Sequence, residues 1–388
     1  MRRRSLRRRV AGILARLAAA LLAVALAAVA AELLLPVPPG LAGAIWRQAR
    51  GSLEEYEPGR LRTVAHFVGE QTVGGGRQHV RHDALGMRGP DLPPKRAGER
   101  RVLFLGDSVT YGTGVQEEDT FARQLEPLLA QEIGGEVRCG IAAAPGFGVR
   151  DQAPFLERVR DGFRPDLVVS CVFVENDLYD DLQLERGVFA GYPVFQTRQV
   201  HLLQRSLRAR LAARFTLAYQ LEQFLARTWP AIAMDVGGAT LTPEEAALWS
   251  GVAPDQSLLF LEQVQPTPAL ARLVARSVNG LRALAAAAQP EPLVVVLLPS
   301  YVQFVPGLFE HLAAARTDEG EHRCGAIQER LRTACGDLGL PCFDLLPLLR
   351  ARTDAAALLI PNDYHFTPLG HRVVAEALAP WLADRLPR

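Results

Sequence analysis

From residue 101 onward, short unbroken apolar runs alternate with longer segments whose apolar residues recur every three or four positions. Val102–Leu105, Val137–Ala142, Leu167–Val174, Leu293–Leu298 and Cys342–Asp344 read as five strands. The nearly continuous apolar character of Leu167–Val174 suits a parallel strand covered on both faces. Between these runs the helical period predicts five helices. Thr120 caps one through Ile133, with Phe121, Leu125, Leu128 and Leu129 on one face and Gly134 and Gly135 ending it. Others cover about Asp151–Gly162, Leu270–Ala288, Gly325–Leu338 and Thr367–Asp384. This order predicts a three-layer α/β fold with a mostly parallel sheet and right-handed crossovers.

The alternation lapses between 178 and about 256. That stretch is rich in aromatic residues and arginine, with helices predicted at Leu202–Ala226 and Glu244–Trp249. It reads as a mostly helical insertion, either a cap over the carboxyl edge of the sheet or a peripheral stabilising subdomain.

Ahead of the α/β body, residues 1–36 carry a different signal. Seven arginines fall within the first sixteen positions, and Val10–Leu35 is apolar except for Arg16 and Glu32. The pattern predicts a signal anchor with its arginines in the cytoplasm, making a single-pass membrane protein whose remaining chain is extracytoplasmic. The competing reading is a signal peptide cleaved after Ala28, Val29 and Ala30, which would secrete the protein. Residues 37–100 read as a linker and N-terminal extension: a strand at Thr63–Val68, a turn at Gly74–Gly76, surface histidines at His79 and His82, and an exposed lead at Pro90–Arg96. Residues 101–388 form the α/β domain that carries the insertion. The net charge of +1 conceals a remainder that is net acidic once the N-terminal arginines are set aside. That balance argues against a nucleic-acid partner. The five cysteines have no zinc spacing. Cys139 and Cys171 fall in strands as small buried residues, and a disulfide among Cys324, Cys335 and Cys342 is the alternative to free thiols.

The chemistry gathers where strands end. The first strand runs into Gly106, Asp107 and Ser108, which is how an α/β protein presents a nucleophile at its carboxyl edge. A base is available in His365, just ahead of the last helix. Asp363 lies two residues before it, placed in an extended loop to hold the imidazole. Asp107 is the supporting carboxylate beside the serine. The loop after the second strand offers the Gly146 N–H, and the Asn176 amide follows the third strand; with the Ser108 N–H they make an oxyanion hole. Thr110 breaks the G-x-S-x-G elbow, and no phosphate-binding G-x-x-x-x-G-K motif is present.

These blocks resemble the SGNH (GDSL-type) hydrolases: Gly106 to Val109 as the first, Gly146 as the second, Asn176 with Asp177 as the third, and Asp363 with His365 as the last. The resemblance implies a flavodoxin-like sheet of order 2-1-3-4-5 and serine-dependent ester hydrolysis without metal or cofactor. Its substrate would be an ester, either an acylated glycan or a lipid. The arginine-rich anchor and Ala84 to Arg88 look like membrane-anchored bacterial members. Two departures stand out. The usual position of the triad carboxylate, three before the histidine, holds Asn362, and Asp-x-His is the spacing of some polysaccharide O-acetyltransferases. The usual glycine before the third-block asparagine is Glu175. An O-acyltransferase acting on an envelope polysaccharide and a non-catalytic glycan-binding protein are the alternatives.

Overall fold

The computed structural model describes residues 54–57, 60–181, 187–189, 192–194, 207–208, 211, 215–228, 254–314, 321–361, 363 and 365–387, with single positions among the first thirty. Five strands form one parallel sheet: β1 (Arg100–Gly106), β2 (Val137–Ala143), β3 (Leu167–Phe173), β4 (Leu293–Leu298) and β5 (Cys342–Asp344). Their spatial order is β5-β4-β3-β1-β2, the expected 2-1-3-4-5 read from the other edge. The interior strand β1 pairs with β2 from Arg100↔Val137 to Gly106↔Ala143, and with β3 from Val102↔Leu167 to Leu105↔Ser170. The loops leaving β1, β2 and β3 therefore open on one edge of the sheet.

Alternation along each strand divides the core into two layers. Val102, Phe104, Cys139, Val169 and Val296 face one side, where they meet Phe121, Leu125 and Leu129 of α1 (Phe121–Ile133) and Val374, Leu378 and Leu382 of α5 (Pro368–Ala383). Leu103, Leu105 and Val168 face the other side, against Phe155, Leu156 and Val159 of α2 (Val149–Phe163) and Leu284 of α3 (Pro268–Ala288). Val172, Val295 and Leu297 pack there against Leu273 and Leu281 of α3 and Ile327 and Leu331 of α4 (Ala326–Asp337). Threonines start three of these helices. Thr120, Thr267 and Thr367 each accept a backbone N–H three residues on, and proline follows two of them.

Ahead of β1 the chain differs from expectation. Arg60–Thr63 closes a hairpin with Glu54–Glu57, His66 turns the chain in a left-handed conformation (φ 55°), and a second hairpin pairs Val68–Val73 with Gly76–Arg81. The expected strand at Thr63–Val68 is thus a break between two others, because His66 cannot continue an extended ladder. Gly74 and Gly75, both at positive φ, make the turn. His79 is exposed, but His82 is not a surface residue. Its ring spans from the Val64 carbonyl (2.8 Å) to the Tyr111 hydroxyl (2.9 Å), and burial lowers its pKa to about 4.

Among the described residues no helix is long and apolar enough to cross a membrane. The expected membrane segment lies outside them apart from isolated helical positions such as Arg16 and Ala19. Most of 178–256, including the expected helix at Glu244–Trp249, also lies outside them; the described part contains a helix at Thr216–Thr228 and a short hairpin of Gly187–Phe189 with Tyr192–Val194. Chain contacts group 1–52 with 186–239, and 53–185 with 240–388. All five cysteines are free, with Cys139 and Cys171 buried in β2 and β3.

One buried group sets an acid limit on the fold. His371, in the first turn of α5, accepts the Phe121 N–H at Nδ1 (3.2 Å) and stacks on the Phe121 ring at 5.8 Å. Burial, with the Arg88 and His365 charges adding to it, lowers its pKa from 6.5 to about 3. It is therefore neutral in the fold, while an unfolded chain would protonate it below pH 6.5. Between those two values stability should fall with pH, by at most about 1.4 kcal/mol per unit from this group. His371→Gln removes that slope. The expected result is a gap in melting temperature between wild type and variant that narrows from pH 7 to about pH 4; a constant gap would contradict the assignment.

Candidate active site

The turn after β1 is shaped by contact. A Cβ on Gly106 would lie 2.3 Å from Thr110 Oγ1, 2.8 Å from Thr110 Cβ and 3.1 Å from the Cys171 carbonyl oxygen of β3. Glycine lets the strand pass that close and turn at once. Asp107 then caps the short helical turn Ser108–Tyr111, accepting the Val109 N–H at 3.0 Å and the Thr110 N–H at 3.4 Å. Gly112, left-handed at φ 81°, ends the turn and donates to the Ser108 carbonyl at 3.0 Å. Ser108 is thereby held at the carboxyl edge of the sheet with little exposed surface.

His365 and Asp363 reach it from the loop before α5. Ser108 Oγ lies 2.9 Å from His365 Nε2, and His365 Nδ1 lies 2.5 Å from Asp363 Oδ1. Because a carboxylate only accepts, the proton of a neutral imidazole belongs on Nδ1, which leaves Nε2 to accept from the serine. The loop is a tight turn rather than the extended segment expected. Ile360 N–H donates to the His365 carbonyl (2.9 Å), Asp363 N–H to the Ile360 carbonyl (3.0 Å), and Leu359 bridges Phe366. Asp363 Oδ1 also accepts the His365 backbone N–H at 2.9 Å. That side-chain-to-backbone bond curls the segment and brings the ring to the same carboxylate.

Asp107 stands behind the pair, fully buried, with Oδ2 3.4 Å from Ser108 Oγ. Burial raises its pKa to about 6, against the opposing pull of His365 and of the capping N–H groups. Asp177, also buried, accepts the Phe173 N–H at 2.9 Å. Burial first, then the Asp107 charge, pushes its carboxyl well above the usual range.

Gly146 and Asn176 lie on the loops that flank Ser108 through the pairing of β1 with β2 and β3. Gly146 has φ 75° in a turn closed by Phe147 N–H to the Ala144 carbonyl (3.2 Å), and Ala144 N–H donates to the Gly106 carbonyl (3.3 Å). The Asn176 amide donates to Asp180 Oδ2 at 2.5 Å, which occupies one of its two N–H groups. Glu175 turns toward β4, accepting from the Ser300 hydroxyl at 2.6 Å. Its carboxylate thus has a donor of its own. Asp180 stands four residues after Asn176, an i,i+4 spacing that is the sequence signal for this pairing.

A model of the GDSL-like Lipase/Acylhydrolase family matches residues 104–373, a span that includes all of these positions. The chain belongs to that family. It is a serine ester hydrolase, the activity its family and this constellation share. Similar solved structures include a two-domain esterase active on acetylated mannans (12% identity, 75% of this chain and 50% of that one, TM-score 0.39). A lipase from a goat rumen metagenome (13%, 74% and 100%, 0.39) and an acetylxylan esterase from Geobacillus stearothermophilus (12%, 72% and 93%, 0.36) are also similar. No curated protein matches the chain significantly.

Gly106→Ala tests the turn. With Thr110 and a β3 carbonyl in the way, the added methyl should cost about 1–3 kcal/mol of stability. Ester turnover should fall as well in whatever protein remains folded. Wild-type melting temperature and turnover would show that the contact does not constrain the serine.

Proposed function

We propose that this hydrolase works through an acyl-enzyme at Ser108, with His365 as general base and acid and Asp363 as its orienting carboxylate. The observation that carries the proposal is the continuous chain from Ser108 Oγ through His365 to Asp363, at 2.9 and 2.5 Å. Ser108 Oγ attacks the acyl carbon and passes its proton to Nε2, while Asp363 stabilises the imidazolium. The Ser108 N–H, the Gly146 N–H and the second Asn176 N–H face the oxyanion. The tetrahedral adduct collapses, His365 protonates the departing alcohol, and water repeats the sequence to release the acid and free Ser108. Asp180 keeps the Asn176 amide turned to one side, so the remaining N–H has a fixed direction.

The substrate in this proposal is an acylated glycan or lipid of the bacterial envelope. Its support is the arginine-rich N-terminus followed by the Val10–Leu35 apolar run, which suits an inner-membrane anchor and an extracytoplasmic site. Full-length chain that washes from membranes with carbonate would contradict the anchor. One observation favours a second reading, O-acyl transfer to a sugar hydroxyl: the Asp-x-His spacing, here a working hydrogen-bonded pair. Product analysis with an acyl donor and a glycan separates transfer from hydrolysis.

A fluorophosphonate should label the purified protein, and Ser108→Ala should abolish labelling; labelling that survives would refute the nucleophile. Asp363→Asn should lower kcat by about 10³–10⁴-fold through the wrong imidazole tautomer. Asn176→Ala should lower kcat by about 10²–10³-fold with KM little changed. A change confined to KM would remove Asn176 from the oxyanion site.

A further inference from the structure

The segment ahead of β1 holds a buried cation that the mechanism above does not use. Arg88 is among the largest fully buried side chains. Its backbone N–H donates to the Ile141 carbonyl of β2 at 3.0 Å, and Asp83 pins the turn before it by accepting the Leu85 and Met87 N–H groups, each at 2.8 Å. The guanidinium so delivered meets backbone carbonyls. Nη1 donates to the Tyr111 and Gly112 oxygens, the latter at 2.7 Å, and Nη2 to the Val115 oxygen at 2.6 Å. Its carbon lies 4.8 Å from the centre of the Tyr111 ring.

These carbonyls close the far end of the turn that begins with Ser108. The Gly112 and Thr113 N–H groups both return to the Ser108 carbonyl, each at 3.0 Å. Two hydrogen-bonded links therefore join the guanidinium to the serine's own peptide. The planar fork suits the task, because it offers Nη1 to the Tyr111 and Gly112 carbonyls and Nη2 to the Val115 carbonyl at once. The neighbouring hairpin fastens the same loop. Gly114 N–H donates to Gln78, the Gln116 side chain bonds to the His79 N–H (3.1 Å) and the Arg77 carbonyl (3.0 Å), and His82 holds the Tyr111 hydroxyl. At the hairpin tip, a Cβ on Gly74 would strike Ile360 at 2.4 Å, and a Cβ on Gly114 would strike Ile360 at the same distance and meet Val73 at 3.4 Å. Ile360 begins the loop that carries Asp363 and His365. The hairpin tip thus packs between the loop of the nucleophile and the loop of the base.

A buried guanidinium whose hydrogen bonds here go to carbonyls, with no contacting carboxylate among them, is costly to keep. We propose that Arg88 is a positioning residue for the hydrolysis: by clamping the Tyr111, Gly112 and Val115 carbonyls it fixes the Ser108 hydroxyl and N–H against the acyl group. The hairpin beside it is then a working part of the active site. This rests on Ser108 being the nucleophile.

The test compares full-length wild type, Ser108→Ala, Arg88→Met and Arg88→Lys. Fluorophosphonate labelling supplies a rate and an endpoint, nitrophenyl acetate hydrolysis supplies kcat and KM, and near-UV circular dichroism reports the fold. In folded Arg88→Met, labelling should reach the wild-type endpoint about 10- to 100-fold more slowly, the scale of loss for a misplaced reacting group. Its kcat should fall in proportion, with KM within about twofold, and Arg88→Lys should recover part of both. A wild-type labelling rate in the folded variant overturns the proposal. So does a reduced endpoint at unchanged rate, which marks a structural role only. If Arg88→Met does not fold, Arg88→Lys and Gln78→Leu decide by the same criteria. Labelling of Ser108→Ala at the wild-type rate would refute the nucleophile itself, and the proposal with it, whatever the Arg88 variants do.

Discussion

The structure depends on β1 being paired on both sides. A strand flanked by β2 and β3 in parallel register has no free edge, and Val102–Leu105, covered on both faces, are apolar without a break. Gly106 ends the strand, and the Cys171 carbonyl of β3 and Thr110 of the following turn leave no room there for a side chain. The parallel arrangement then brings the loops after β2 and β3 to the same edge. This is the general property of an open α/β sheet at the point where strand order reverses. The serine and its flanking loops are together because three hydrogen-bonded strands end together.

That edge is dense in carboxyl groups. Asp107 beside the serine, and Asp177 and Asp181 after β3, are buried, and burial raises each of their pKa values. Each also accepts backbone or hydroxyl hydrogen bonds: Asp107 from its helical turn, Asp177 from Phe173, Asp181 from the Arg150 N–H and the Ser277 hydroxyl. They bind loops to one another. Gly148 shows how tightly, since a Cβ there would lie 2.4 Å from Asp181 Oδ1 and 3.0 Å from the Asp177 carbonyl oxygen. The loops after β2 and β3 are thus joined through Asp181, which accepts the Arg150 N–H. Arg88 meets the turn of the serine from behind, through the Tyr111 and Gly112 carbonyls.

The strands, the helices of the body and the Ser108–His365 pair were legible because each follows from a local rule. Strand ends follow from apolar runs, helix starts from Thr120 and Thr367, and the placement of His365 beside Ser108 from a proline-flanked loop. What was not legible depends on contacts distant in sequence. His82 looks like a surface histidine until the hairpin folds its ring against Tyr111, 29 residues away. Glu175 looks like a misplaced charge beside the Asn176 amide until Ser300, 125 residues away, donates to it. Arg88 carries no periodic signal at all; its partners are backbone carbonyls, which sequence does not display.

The spacing of Asp363 and His365 shows how a departure from the family pattern can keep the same chemistry. A carboxylate three residues before the histidine has to reach the ring from farther back along the chain. Two residues before it, the same side chain accepts the His365 backbone N–H, and that bond sets the curvature of the loop. The bond from Ile360 N–H to the His365 carbonyl and the bridge between Leu359 and Phe366 close the curl from outside. One oxygen, Asp363 Oδ1, therefore fixes both the backbone and the ring of His365. The ring has fewer ways to turn away, because any rotation that breaks its bond to Asp363 leaves the backbone bond in place to draw it back. The tighter turn supplies, through geometry, the orientation that a more remote carboxylate would supply through reach.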